Sequence, residues 1–152
     1  KMNVAFCGHA AIFPDGDVEN WLCDITEMLI QQGASTFYLG GYGNFDRLAV
    51  SVLQRKKKIY PHIQRILVLP YLDMKYDPSG YDGTIYPPLE SVPRRFAISH
   101  RNRWMINYSE VLVAYVLHDW GGAATTLQGA RKKGKQIILY PDKYCNEPYT
   151  HN

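Results

Sequence analysis

The 152-residue sequence predicts an α/β fold: a doubly wound, mostly parallel five-stranded sheet with helices on both faces. Three observations carry this expectation. Short apolar runs alternate with segments whose apolar residues recur every three or four positions, the pattern of strand–helix–strand crossovers. Glycine-rich turns follow several strands, at the edge where a parallel sheet meets its ligands. One run, Arg65-Ile66-Leu67-Val68-Leu69-Pro70, is apolar at successive positions, as a strand covered on both faces requires.

The elements follow in order. Asn3 to Cys7 is a short apolar strand ending at Gly8-His9. The segment from Asp17 to Gln32 places Val18, Trp21, Leu22, Ile25 and Leu29 on one helical face, with Asp15 or Asp17 at its start and Gly33 as its stop. Ala34 to Leu39, β-branched and aromatic, is the second strand and runs into Gly40-Gly41-Tyr42-Gly43-Asn44. A helix over Phe45 to Lys58 carries Phe45, Leu48, Ala49, Val52 and Leu53 on one face. Its terminal Arg55-Lys56-Lys57-Lys58 suits the negative end of the helix dipole, so this basic run reads as a solvated helix end rather than a nucleic-acid patch.

Ile63 to Leu69 is the third strand, ended by Pro70. From Tyr71 to Pro93 the chain shows no periodicity and is rich in proline and glycine, so it reads as a loop or partial lid with at most one helical turn. A helix over Ile98 to Asn107 comes next, with Ser99 or the residues before it as cap. The fourth strand, Val111 to Val116, leads to Gly121-Gly122, a helix over Ala123 to Lys133 stopped by Gly134, and a fifth strand, Gln136 to Tyr140. Asp142 to Asn152 has no pattern and reads as a tail. With no internal repeat or linker, residues 1–152 are expected to form one domain.

Composition bounds the function. Seventeen Lys and Arg against fourteen Asp and Glu leave a net charge of +3, which gives no sign of a nucleic-acid or anionic-membrane surface. No apolar run approaches the roughly 20 residues that span a bilayer. The first apolar run is interrupted by Cys7-Gly8-His9 too early for a signal peptide. Cys7, Cys23 and Cys145 are widely spaced and contain no C-x-x-C pair, which fits a reducing cytosol and a cytoplasmic protein.

The carboxyl-end rule for open α/β sheets gathers Gly8-His9, Gly40-Gly41-Tyr42, Pro70-Tyr71 and His118-Asp119-Trp120-Gly121-Gly122 along one edge. There Gly121-Gly122-Ala123-Ala124-Thr125-Thr126 turns from a strand into free helical N–H groups, a cradle for phosphate, with the Thr125 and Thr126 hydroxyls as caps or ligands. No G-x-G-x-x-G follows Gly8, and no G-K-[ST] follows either glycine pair, so dinucleotide and P-loop fingerprints are absent. Arg101 offers a guanidinium for phosphate or carboxylate, whereas Trp104 and Met105 read as core. Tyr42, Tyr71 and Trp120 are candidates to stack on a base. Glu90 and Asp119 are candidate cleft carboxylates, with Asp46 a further one. His9 and His118 end strands and read as hydrogen-bonding loop residues. No metal-ligand spacing occurs, and no cofactor is expected.

Arg101-Asn102-Arg103-Trp104-Met105, Ser109-Glu110 with its strand, and Gly121-Gly122-Ala123-Ala124-Thr125-Thr126-Leu127-Gln128 together resemble the SLOG superfamily of Rossmann-like proteins. That group includes the LOG-like proteins, the DNA-processing Smf/DprA proteins and small YpsA-like members. LOG-like enzymes cleave the N-glycosidic bond of nucleoside monophosphates and carry P-G-G-x-G-T-x-x-E. The matching positions here put Trp120 at the proline, Ala124 at the third glycine and Gln128 at the catalytic glutamate, and Arg101 matches the arginine that accompanies it. A neutral amide neither offsets an oxocarbenium-like charge nor acts as a base.

The resemblance therefore implies binding of a phosphorylated nucleoside, nucleotide-sugar or NAD-derived molecule without LOG-type turnover. The ligand-binding set is Gly8, His9, Gly40, Gly41, Tyr42, Tyr71, Arg101, Trp120, Gly121, Gly122, Ala123, Thr125, Thr126 and Gln128. The alternatives are an N-glycosidase using Glu90, Asp119 and Arg101, and a non-catalytic scaffold. A homo-oligomer is expected from the resemblance; membrane and nucleic-acid partners are not.

Overall fold

The computed structural model describes residues 2–140; Cys145 and the tail from Asp142 lie outside them. The chain runs β1 (Met2–Gly8), α1 (Gly16–Gln31), β2 (Ala34–Leu39), α2 (Asn44–Ile59), β3 (Gln64–Val68), β4 (Gly83–Ile85), α3 (Arg94–Asn107), β5 (Val111–Tyr115), α4 (Gly122–Lys132) and β6 (Gln136–Tyr140). The strands form one sheet in the order β4-β3-β2-β1-β5-β6, and every pairing is parallel.

Alternation along the strands divides the core. In β1, Val4 and Phe6 face one way and Ala5 and Cys7 the other. The first pair packs with Phe37, Leu39, Val113 and Tyr115 against the apolar stripes of α1 (Val18, Leu22, Ile25, Leu29) and α2 (Phe45, Ala49, Val52, Leu53). The opposite face, with Ala5, Tyr38, Val68, Leu112 and Ala114, receives Met105 and Ile106 of α3 and Leu127 and Ala130 of α4. Each fully buried leucine or phenylalanine contributes roughly 1.5–3 kcal/mol. Among the described residues no helix is long and apolar enough to cross a membrane.

Two elements depart from expectation. The sheet has six strands rather than five, because the segment read as a loop contains a short 3-10 turn at Pro78–Gly80 and the three-residue edge strand β4. Asp82 docks β4: its carboxylate accepts from Arg65 Nε (3.0 Å), Nη2 (3.1 Å) and backbone N (2.8 Å), while its own N–H donates to the Arg65 carbonyl (2.7 Å). Secondly, α3 starts at Arg94, behind Pro93, rather than at Ile98. Its first turn exposes Arg94, Arg95 and Phe96 and buries only Ala97, so no apolar stripe marks it. For α1 the start is set by Asp15, whose carboxylate accepts from Val18 N at 3.1 Å.

Candidate functional site

Chain direction across the sheet places the site. From β1 the chain moves outward through β2 and β3 on one side and returns on the other with β5 and β6, so the loops at the carboxyl ends of β1 and β5 diverge and leave a crevice. The resulting cavity measures about 580 Å³. Gly8 and His9 behind β1, Gly40 and Tyr42 behind β2, Arg101 of α3, Trp120, and Gly121, Gly122, Ala123 and Thr126 of the α4 turn all line it.

Two helices aim their N-termini here, from glycines of nearly identical conformation. Gly43 before α2 has φ 93° and ψ 179°, and Gly121 before α4 has φ 94° and ψ 178°, a region open essentially to glycine alone. Among the described residues no side chain caps either helix. They differ in what fills them. At α2 the Asn44 N–H donates to the Ala10 carbonyl (2.9 Å), and the Asp46 carboxylate turns back to the preceding loop, where it accepts from Tyr42 N (3.3 Å). At α4 the first intrahelical bond runs from Thr125 N to the Gly121 carbonyl (3.0 Å), which leaves the N–H groups of Gly122, Ala123 and Ala124 ahead of it. The Thr125 and Thr126 hydroxyls donate back to Gly121 O (3.0 Å) and Gly122 O (2.9 Å). An anion at this turn is therefore met by backbone N–H groups and the helix dipole, and the threonine protons are already used.

Arg101 is an internal strut. It is 3% exposed, and its Nη1 donates to the carbonyls of Gly40 (2.9 Å) and Val68 (2.8 Å), while Nε donates to Asn102 Oδ1 (2.9 Å). The guanidinium thus joins the carboxyl ends of β2 and β3 beside Asp46. Gly40 is small because this pair surrounds it: a Cβ there would lie 3.0 Å from the Arg101 guanidinium and 3.1 Å from Asp46 Oδ2.

Burial raises the Asp46 carboxyl from 3.8 to about 6, against the opposing pull of Arg101 and of the Tyr42, Gly40 and Gly41 N–H groups. The folded protein then keeps this proton at pH values where the unfolded chain has lost it. The stabilising contribution of the protonated group is complete below pH 3.8 and is lost as pH rises through about 6. Asp46→Asn, a neutral isostere, is accordingly expected to leave stability nearly unchanged at pH 4. At pH 8 it should raise stability by on the order of 3 kcal/mol, at about 1.4 kcal/mol per pKa unit. Urea unfolding midpoints at the two pH values check this; a variant less stable at pH 8 means that the pairing with Arg101 outweighs burial.

A ladder of rings forms the opposite wall. His9 stacks on His118 (centroids 4.0 Å apart, planes 21°) and His118 on Trp120 (3.7 Å, 13°). The His9 Nε2 accepts from Leu117 N at 2.7 Å, so its proton sits on Nδ1. Burial, then the neighbouring His118, pushes the His9 pKa down and keeps the ring neutral. His118 Nδ1 is buried without a hydrogen-bond partner among the described residues. Trp120, at 69% exposure, ends the ladder with an open face at the cleft mouth. Cys7 lines the floor; burial, then Asp46, pushes its thiol far up, and its Sγ donates to the Ala123 carbonyl (3.8 Å). It is therefore a packing residue rather than a thiolate nucleophile.

The remaining candidates lie elsewhere. Gly41 and Tyr71 line a side pocket, where the Arg94 guanidinium lies 3.8 Å over the Tyr71 ring. Thr125 and Gln128 line a groove between α3 and α4. Glu90 and Asp119 are exposed and line neither cavity. Asp46 is the only carboxylate lining the cleft among the described residues. Asn102 and Met105 also line it; the sequence carries them only as members of the Arg101–Met105 motif, with Met105 read as core.

The site and sheet together define a Rossmann-like α/β fold with a crevice at the β1/β5 switch point. No protein-family model matches the chain, and no curated protein matches it in sequence. Among solved structures, DNA processing protein A from Streptococcus pneumoniae matches with a TM-score of 0.67 and 17% identity, over 95% of this chain and 52% of that one. DNA processing protein A from Helicobacter pylori, described by its single-stranded DNA binding mode, gives 0.65 and 19%, over 98% and 69%. The molybdenum cofactor carrier protein of Chlamydomonas reinhardtii gives 0.61 and 18%, over 91% and 76%. At such identities the likeness establishes the fold. It also corrects one expectation: a protein of this fold binds single-stranded DNA, so nucleic acid is not excluded as a partner. The net charge of +3 misled because it averages over the surface and carries no information on how charge is distributed.

Proposed function

We propose that the protein is a non-catalytic member of the SLOG superfamily that binds a phosphorylated nucleoside in the β1/β5 crevice. The observation that carries this reading is the contrast between two matched helix N-termini. At α2 the first N–H, that of Asn44, is already bonded to the Ala10 carbonyl, whereas at α4 Gly122 and Ala123 line the cavity. Phosphate sits at Gly122 and Ala123, the sugar over Gly8 and Gly40, and the base against the open face of Trp120. Turnover is opposed by the carboxylate inventory: Glu90 and Asp119 are outside the cleft, and Asp46 is held by backbone N–H groups and Arg101.

Calorimetric titration with adenosine 5′-monophosphate, with chromatography of the mixture afterwards, tests this. Binding with the nucleotide recovered intact is expected. Trp120→Ala should weaken adenosine 5′-monophosphate by roughly 5- to 150-fold, since stacking on an aromatic ring is worth about 1–3 kcal/mol. Ribose 5-phosphate, which has no base, should bind both proteins equally. Absence of binding by either compound favours a scaffold role. A second reading, N-glycosidic cleavage, rests on Asp46 as a cleft carboxyl raised to about 6. Released adenine that disappears in Asp46→Asn would establish it and overturn the binding-only proposal.

A further inference from the structure

The cleft does not end at the α4 turn. Asn102, Gly122 and Thr126, with Ile98, are shared between it and a second cavity of about 440 Å³ that runs down the groove between α3 and α4. Residues three and four apart on each helix wall this groove, which is the spacing of two helix faces that meet along their length. Arg103 comes from α3, and Lys132 and Lys133 from the end of α4. All three are exposed, and among the described residues none makes an ion pair and no Asp or Glu lines the groove. Elsewhere Arg55, Lys56 and Lys57 pair with Glu19, Glu27 and Asp82, and Arg94 pairs with Asp73, while Lys58 and Arg95 beside them make no ion pair among the described residues.

A helix dipole accounts for cations in the last turn of α4, but not for Arg103 across the groove in the middle of α3. Ten residues separate Gly122 from Lys132, about 15 Å at 1.5 Å per residue, and a lysine side chain reaches back part of that distance. The cations are therefore too far to share the phosphate at the α4 turn and near enough to meet another group of the same molecule.

We propose that the α3–α4 groove is a second anion subsite, so that the ligand is a dinucleotide-sized molecule with a further phosphate on the order of 10 Å from the first. This rests on the cleft reading above and narrows it from any nucleotide to an extended polyanionic one. Entry from the cleft passes between Asn102 and Thr126, where polar side chains border the path. The second contact is solvent-exposed, so it weakens steeply with salt.

The test uses three probes: adenosine 5′-monophosphate, NAD, and NADP, which is NAD with one additional remote phosphate. At 50 mM salt the protein is expected to bind NADP at least tenfold more tightly than NAD. In Lys132→Ala/Lys133→Ala that preference should fall below threefold, with NAD affinity and thermal midpoint unchanged. Equal affinity for NAD and NADP in the unmodified protein, or a preference that survives both in this variant and in Arg103→Ala, overturns the subsite. If adenosine 5′-monophosphate still binds in that case, the cleft reading stands and only the subsite fails. If none of the three binds, both fall.

Discussion

Arg101→Ala is expected to destabilise the protein by about 3–5 kcal/mol, whatever ligand the cleft holds. The guanidinium is buried and makes three hydrogen bonds, two of them to the carbonyls of Gly40 and Val68. Without it those acceptors are left unpaired, at roughly 1–3 kcal/mol each. Asp46 also loses its countercharge, so its carboxyl rises further above 6 and takes up a proton at neutral pH. Arg101→Lys should recover less than half of the loss, because one ammonium cannot reproduce the planar fork that spans both strand ends. Guanidinium unfolding midpoints measure all three proteins. A near-neutral Arg101→Ala would mean that the guanidinium is free to serve the ligand, as the LOG-type motif suggests.

The second large effect compares two glycines with the same backbone. An alanine at Gly121 or Gly43 is strained to a similar extent, on the order of 1–3 kcal/mol, because φ and ψ nearly coincide. At Gly121 an added Cβ meets nothing within 4 Å among the described residues, so strain is the cost. At Gly43 it would lie 2.4 Å from Ala10 Cα and 2.5 Å from Ala10 Cβ, and backbone cannot move aside as a flexible side chain can. Gly43→Ala should therefore lose several kcal/mol more than Gly121→Ala, enough to unfold a marginal domain. Ligand affinity should show the reverse order: Gly121→Ala stays folded but disturbs the N–H groups that receive the phosphate. Parallel melting curves and titrations check both orders, and equal stability losses would remove the distinction between a filled and an open helix N-terminus.

What was legible in the sequence follows from how local each signal is. The strands β1, β2, β3, β5 and β6 and the helices α1, α2 and α4 announce themselves through apolar spacing and glycine stops, and the Gly121-Gly122 turn through its place behind a strand. Strand β4 was not legible because a three-residue edge strand has no periodicity, and its anchor is the pairing of Arg65 with Asp82, remote in the chain. The start of α3 was not legible because Arg94, Arg95 and Phe96 are exposed and only Ala97 of the first turn is buried, while Arg101 further on faces inward, the inverse of an amphipathic pattern. That inversion also explains Arg101 itself. The motif marks an arginine for the ligand, and only the fold shows it bonded to two strand ends. The ring ladder is a similar case: His118 and Trp120 are near neighbours in the chain, but His9 joins them only because β1 and β5 are adjacent.

A crystal structure of the protein grown with adenosine 5′-monophosphate tests nucleotide binding in the crevice most directly. An intact nucleotide is expected in the β1/β5 crevice, with its phosphate on the N–H groups of Gly122 and Ala123, its base against Trp120, and Arg101 still bonded to Gly40 and Val68. A crevice without nucleotide, a phosphate held by Arg101 in place of those carbonyls, or separated adenine and ribose phosphate beside Asp46 would contradict it.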